Sequence, residues 1–367
     1  MYLGRGWATH SKYQVDMSRM RYVRIAEDSR SKLVLVPDLR SRRLVKDFFG
    51  VTRQVAMSFP YFLEDYDVIH IEYLFMANLA ISAIVLKFLQ DTPHVIDFVD
   101  LIGQLREDSP RKSYKLYNLL YAVGYLPTWS TVCSDYLRSY LIKKGFAEQA
   151  VHKIPMGVDI TKIRCVNKGE ARERLKLMDT GYLMGYEFGT GRQDTYVDTI
   201  LFSLREILKH VNGVKVVFIG DWAGSSNIAR RKCISMGLEA YSVCTGPLET
   251  RDLSDWLAAC DLLLLPLDDT PYDHARFPGR LGDYLAAGRP ILGAAVGELT
   301  TVLPKGCGVL FKPGDHLDLA SKILALIQDE SRLCEMGKEA RCLAENEYSW
   351  RNIAKHLESI YRKVASA

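Results

Sequence analysis

Short continuous apolar runs, each followed by a longer stretch of helical period, recur along the chain and limit what it can fold into. The clearest are the Lys215–Ile219 run, which reads Lys-Val-Val-Phe-Ile, and the four leucines of Leu262–Leu265. A strand apolar at every position has both sheet faces covered. Strands that alternate with helices form βαβ units and parallel sheets. The pattern predicts strands at Lys32–Val36, Arg53–Met57, Val68–Ile71, His94–Val99, Ser130–Cys133 and Val151–Ile154. A second block is predicted at Leu183–Tyr186, Lys215–Ile219, Ala240–Thr245, Leu262–Pro266, Pro290–Gly293 and Gly308–Phe311. The expected fold class is therefore α/β, with two Rossmann-like doubly wound parallel-sheet domains facing across a cleft.

A length of 367 residues suits two such domains. The linker is expected near Pro155–Thr161, where the Ile-Pro-Met-Gly-Val-Asp run breaks the rhythm. Residues 1–155 then form the first domain and 156–346 the second, with the tail 347–367 packing back on the first. The opening Met1-Tyr2-Leu3-Gly4-Arg5-Gly6-Trp7 is Gly-rich and resembles the loop after a first strand, so that strand is expected to be absent. No repeat of 20–50 residues is visible in the sequence, which disfavours a solenoid.

Other classes are excluded by what the chain lacks. The longest apolar stretch, Leu74–Leu86, falls short of the ~20 residues a membrane span needs. No signal peptide is expected, because no apolar core follows the first basic residues. The eight cysteines include no Cys-x-x-Cys pair and no metal-ligand spacing. Scattered thiols suit a reducing compartment, so a cytoplasmic location is expected. Residues 1–60 carry 12 Lys+Arg against 5 Asp+Glu, a net +7 in a chain of net +4. Such an end suits a phosphate-bearing ligand or an anionic membrane surface, or is simply a solvated basic face. No nucleic-acid-binding motif accompanies it, so no nucleic-acid partner is expected. Basic residues with Tyr and Leu at helical spacing over 111–126 suit either a membrane-surface helix or packing against a neighbouring helix.

In open α/β sheets ligands bind at the carboxyl ends of the strands. The loop after Leu262–Pro266 leads into Arg276-Phe277-Pro278-Gly279-Arg280-Leu281-Gly282-Asp283. Pro278 pre-sets φ near a helix start, and Gly279 lets a ligand approach the backbone. Cations at a helix N-terminus are unfavourable unless an anion joins them. Arg276 and Arg280 therefore point to a phosphate site. Asp283, one turn further, can accept hydroxyls. A helix with a merely basic first turn is the plainer alternative. His70 and Glu72 share one strand face and suit a satisfied pair; Asp221-Trp222 suits base stacking or an ordinary loop.

Arg276–Pro290 with Val296-Gly297-Glu298 resembles the nucleotide-sugar signature of GT-B glycosyltransferases of the retaining family 4 type. Ile154–Asp159 resembles that family's hinge, and Tyr348-Ser349-Trp350 its closing segment. The resemblance implies that Asp283 holds the nucleotide ribose and that Arg280 stands beside the pyrophosphate. Phe277, Pro278, Gly279 and Leu281 would lie under the phosphates with Arg276. Gly189 and Gly191 would form a second phosphate loop, in which Arg192 supplies charge. The acceptor side would hold Asp100, Gly6 and His10. Asp100, Arg192 and Arg280 are then the candidate catalytic residues. The sequence departs from the pattern at Ala275, where the family has its first glutamate, and at Gln193–Asp198, which lacks a basic residue.

The implied activity is retaining transfer of a hexosyl unit from a UDP- or GDP-sugar to a carbohydrate or lipid-linked acceptor in polysaccharide or glycolipid synthesis. It would use no cofactor or metal, peripherally on the inner face of the membrane. The alternative is an altered GT-B scaffold that binds nucleotide without efficient transfer.

Overall fold

The computed structural model describes residues 2–3, 23–24, 32–33, 67–72, 92–99, 129–178, 181–189, 193–221 and 224–367. Two compact units emerge: Met1–Ile154 with His356–Ala367, and Pro155–Lys355.

In the first unit the strands are β1 (Tyr2–Leu3), β2 (Val23–Arg24), β3 (Lys32–Leu33), β4 (Ile69–Glu72), β5 (His94–Phe98), β6 (Trp129–Val132) and β7 (Val151–Lys153). A parallel sheet has the order β1-β4-β5-β6-β7, while β2 and β3 pair antiparallel outside it. Of the predicted strand at Lys32–Val36, Lys32–Leu33 forms β3, which pairs with β2, while 34–36 lie outside the described residues. Arg53–Met57 lies outside the described residues. The expectation of a missing first strand is corrected: Tyr2 lies opposite His70 and Leu3 opposite Ile71, parallel to β4. Two residues are too few to show a period, so only long-range pairing defines this strand.

Helix α1 (Asp135–Lys143) starts at Ser134, whose hydroxyl accepts from the Leu137 N–H at 3.1 Å. Asp135 in its first turn and Lys143 in its last complement the dipole.

The second unit carries β8 (Tyr182–Glu187), β9 (Val214–Ile219), β10 (Ser242–Cys244), β11 (Leu262–Leu265), β12 (Ile291–Ala294) and β13 (Gly308–Phe311). Their order is β10-β9-β8-β11-β12-β13, all parallel. Successive strands run outward from β8 on one side and from β11 on the other. The β8/β11 seam is therefore the switch point, with its crevice beyond Glu187 and Leu265. Gly185 is small because helix packing demands it: a Cβ there would lie 2.5 Å from the Cys260 Sγ.

The helices of this unit are α2 (Lys168–Arg174), α3 (Gln193–Ile207), α4 (Ser225–Ser235), α5 (Thr250–Ala259), α6 (Pro271–Ala275), α7 (Gly279–Ala287), α8 (Leu299–Val302), α9 (His316–Ile327) and α10 (Glu330–Leu343). Neither α2 nor α6 is anticipated by periodicity, because each is under three turns. Asp261 holds α2 to the sheet through Lys168 and Arg172, both at 2.7 Å, and accepts from the Leu183 N–H.

The last helix, α11 (Trp350–Ala365), buries Ile360 and Val364 against Val95 of the first unit. The return to that unit begins at His356, later than the expected 347. Backbone bonds explain the delay. The Val158 N–H donates to the Tyr348 carbonyl at 2.7 Å, and the Trp350 N–H to the Val158 carbonyl at 3.2 Å. These tie 348–350 to the second unit.

Candidate functional site

Arg280, in the first turn of α7, reaches the end of β8. Its Nη1 donates to the Glu187 carbonyl at 2.8 Å, and its guanidinium lies 5.1 Å from the Tyr186 ring centroid. Gly189 permits this approach, since a Cβ there would lie 3.2 Å from the Arg280 Nε. Arg280 is 6% exposed and has no carboxylate ion-pair partner among the described residues. Its Nη2 is buried without a hydrogen-bond partner. A buried, unneutralised charge costs several kcal/mol, a cost that a bound anion would offset.

Two carboxyls flank this cation. Glu187 is pushed well above the usual carboxylate range by burial and then by Asp283, against the pull of Arg280. Burial raises Asp283 to about 7, again opposed by Arg280. The Glu187 Oε2 has no hydrogen-bond partner. Tyr284, one residue after Asp283, fixes the strand end: its hydroxyl accepts from the Glu187 N–H at 2.8 Å and donates to the Leu264 carbonyl at 3.4 Å. One side chain of α7 thus locks β8 to β11 at the switch point.

The turn into α3 is fixed from beneath. Tyr186 donates to the Gln193 Oε1, and the Gln193 Nε2 donates to the Gly189 carbonyl, both at 2.6 Å. Gly189 lies in this cradle. Gly191 and Arg192 fall outside the described residues, as do Asp100, Gly6 and His10 of the acceptor side.

Arg276 does not join Arg280, and the expectation that it binds the donor is corrected. Its Nε donates to the Asp273 Oδ1 at 2.9 Å, its Nη2 lies 2.6 Å from the same oxygen, and its guanidinium covers the Tyr272 ring. Asp273 is 1% exposed and also accepts from the Tyr196 hydroxyl at 2.7 Å and the Asp268 N–H at 3.1 Å. Charge cancels inside the protein, so this pair is architectural: it bolts α3 to the segment that leads into α7. The i,i+3 spacing of Asp273 and Arg276 was the available sequence signal. Asp273 is engaged here, so it does not replace the family carboxylate absent at the buried Ala275.

The remaining α7 residues divide by burial. Gly279 is exposed at the helix start, and the atom nearest to a Cβ added there is the Met156 Cε, at 3.8 Å. Pro278 is the N-cap, not a first-turn residue. Phe277 is buried and packs on Tyr348, with centroids 5.6 Å apart. Leu281 is fully buried, so its side chain serves the core and not a nucleotide. Glu187, Tyr186 and Tyr284 were missed by sequence reasoning, because each acts through a partner distant in sequence or lies inside an apolar run; Gln193 was missed because its partners, though only four and seven positions away, meet it through the turn into α3.

In the first unit Thr131 donates to the Asp97 Oδ1 at 2.6 Å, while burial raises Asp97 to about 6. His70 pairs through Nδ1 with the Tyr361 hydroxyl at 2.6 Å, and burial lowers its pKa to about 3. The Glu72 side chain, and with it the expected His70–Glu72 pair, lies outside the described residues. Among the described residues no cluster of three or more His, Cys, Asp or Glu is arranged to hold a metal ion.

Residues 189–329 match the family described as Glycosyl transferases group 1. The chain is 25% identical over 228 residues to D-inositol 3-phosphate glycosyltransferase 1 of Catenulispora acidiphila, covering 60% of this chain and 53% of that protein. It is 21% identical to the MMP alpha-(1->4)-mannosyltransferase of Mycolicibacterium hassiacum, over 65% and 54% respectively. The chain thus spans about half the length of the curated relatives it matches.

Among solved structures, sucrose-phosphate synthase from Thermosynechococcus elongatus aligns with a TM-score of 0.68 at 18% identity, over 95% of this chain and 86% of that one. Anabaena HepE in complex with UDP aligns with a TM-score of 0.67 at 17% identity, over 86% and 82%. The fold shared with them is GT-B.

Proposed function

We propose that this chain is a GT-B glycosyltransferase of the family 4 type, a reading supported by its similarity to the group 1 glycosyl transferases, and that it moves a hexosyl unit from a nucleotide-diphosphate sugar to a carbohydrate or lipid-linked acceptor, with retention of configuration. The observation that carries this reading is Arg280: buried, without a carboxylate partner, and held against Gly189 at the β8/β11 switch point. Loss of the diphosphate is the step at which negative charge develops. A fixed guanidinium in a dry site stabilises that charge without reorganising. The helix dipole at the start of α7 adds to it. Arg192 is proposed as a second cation on the loop after β8, and Asp283 as the acceptor of ribose hydroxyls.

A UDP- or GDP-sugar is the proposed donor; support comes from the GT-B neighbour solved with UDP. Asp100 is proposed to orient the acceptor hydroxyl, near Gly6 and His10. No metal or cofactor is invoked, because cationic side chains and a helix start supply the charge the leaving group needs. Among the described residues no helix is long and apolar enough to cross a membrane. Peripheral attachment to an anionic cytoplasmic surface is proposed on the net +7 of residues 1–60.

A panel of UDP- and GDP-sugars tests the reading by thermal shift and by release of nucleotide diphosphate. One donor is expected to raise the melting temperature and to be slowly hydrolysed. No response to any nucleotide sugar overturns the assignment. A shift without turnover, even with acceptor extracts, favours the altered scaffold instead.

A further inference from the structure

Eight cysteines are placed very unequally. Four are buried, Cys244 is half-buried, and only Cys165, Cys334 and Cys342 are exposed. All three exposed thiols line one open cleft of about 410 Å³ in the second unit, together with Arg289, Lys338 and Arg341. Cysteine is among the most buried residue types, so three exposed thiols in one depression are not a packing outcome.

The cleft forms where the end of α7 crosses α10. The crossing is close: a Cβ on Gly337 would lie 2.6 Å from the Gly288 carbonyl oxygen. Cys334, Lys338 and Cys342 follow one another at i, i+4 and i+8, so α10 presents them on one face. Cys165 faces them from the segment before α2. Its Sγ would be 2.9 Å from a Cβ on Gly288, whose φ is +65°.

The cations are not all neutralised. Arg341 pairs with Glu345 at 2.6 Å and donates to the Ala286 carbonyl at the end of α7. Lys338 has no carboxylate partner among the described residues. Arg289 donates from Nη2 to the Val166 carbonyl at 2.9 Å, but its Nε is buried with no hydrogen-bond partner. Cys165 and Arg289 line the same cleft. Exposed thiols beside cations are open to an anionic reagent, which those cations attract and hold.

We infer that this cleft is a thiol-modification site that takes an anionic, carboxylate-bearing low-molecular-weight disulfide, with Cys165 as the attacking group. The Cys165 thiol first loses its proton to solvent. The thiolate attacks one sulfur of the disulfide, a new Sγ–S bond forms, and the old S–S bond breaks. The departing thiolate takes a proton from water, so Cys165 is oxidised as the leaving sulfur is reduced. Arg289 and Lys338 hold the carboxylates of the incoming molecule. The inference is independent of the sugar-transfer reading, since the cleft contains none of the donor-site residues.

The test treats the intact reduced protein with oxidised glutathione, which is anionic, or cystamine, which is cationic, at equal concentration. Adducts are mapped by peptide mass spectrometry. A single glutathione adduct is expected on Cys165, forming about tenfold faster than the cystamine adduct at low salt, with the gap closing as salt is added. Lys338→Glu, an exposed change, should slow the glutathione reaction by about tenfold, and Cys334→Ser and Cys342→Ser should retain it. Equal or faster reaction with cystamine, an adduct on Cys334 or Cys342 in place of Cys165, or no adduct at all overturns the proposal.

Discussion

The Arg280 guanidinium donates to the main-chain carbonyl of Glu187 at 2.8 Å, across 93 positions of sequence, and leaves its own Nη2 without a protein partner. The bond orients the cation without neutralising it. A carboxylate in the same place would have neutralised the charge and closed the anion site.

Replacing Arg280 therefore separates charge from geometry. Arg280→Ala is expected to weaken nucleotide-diphosphate binding by about 10–100-fold, the worth of a lost charge-assisted hydrogen bond. Arg280→Lys should recover only part, because a point charge lacks the forked donors. Calorimetric titration with UDP and GDP checks this; unchanged affinity in Arg280→Ala would remove the residue from the site.

Gly189 sets the clearance of the same guanidinium. Gly189→Ala puts a methyl 3.2 Å from the Arg280 Nε and pushes the side chain aside by a few tenths of an ångström. Donor affinity should fall by about tenfold while the melting temperature barely moves, because the displaced group is a side chain and not the sheet. A loss of stability with affinity intact would contradict this reading.

Asp273 is expected to matter for folding first. Asp273→Ala strands the Arg276 charge in a buried site and should cost about 3–5 kcal/mol. Arg276→Ala leaves Asp273 uncompensated and should cost a similar amount, whereas Arg276→Met with Asp273→Leu should recover much of it. Chemical denaturation of the four proteins checks the coupling. Additive losses would mean the pair is not a unit.

Stability should fall as pH rises from about 4 to about 7. Asp283 and Asp97 keep their protons to about 7 and about 6 in the folded state, whereas the unfolded chain releases them near 4. The unfolded state binds fewer protons over that window, so rising pH favours unfolding. His70 acts in the opposite sense: it stays neutral when folded to about pH 3, so acid below its ordinary pKa of ~6.5 also favours unfolding. Asp283→Asn should flatten the upper part of the decline in a melting-temperature series. An unchanged slope would show that Asp283 does not hold its proton.

Much of the architecture was legible because apolar period and strand length are local properties. The runs at Lys215–Ile219, Leu262–Pro266 and Gly308–Phe311 predict β9, β11 and β13 to within a residue or two. The helix start at Gly279–Asp283 was legible for the same reason, since turn residues and charge at a helix N-terminus are short-range signals. Short elements were not. β1 exists only through β4, and α2 only through the Asp261 contacts, neither of which a sequence window contains.

The sequence by itself determined two parallel-sheet units and a cationic helix start after β11, because both follow from spacing along the chain. It could not say which of two arginines, four positions apart, is ion-paired inside the protein. Tertiary structure decided that. Asp273 lies within reach of Arg276 and cancels its charge, whereas Arg280 hydrogen-bonds a carbonyl at the end of β8, lies over the Tyr186 ring and has no ion-pair partner among the described residues. Burial also turned Glu187, an unremarked strand residue, into a proton-holding neighbour of Asp283. A side chain's charge is written in the sequence, but its electrostatic energy depends on which groups and how much water surround it, and only the packed fold sets those.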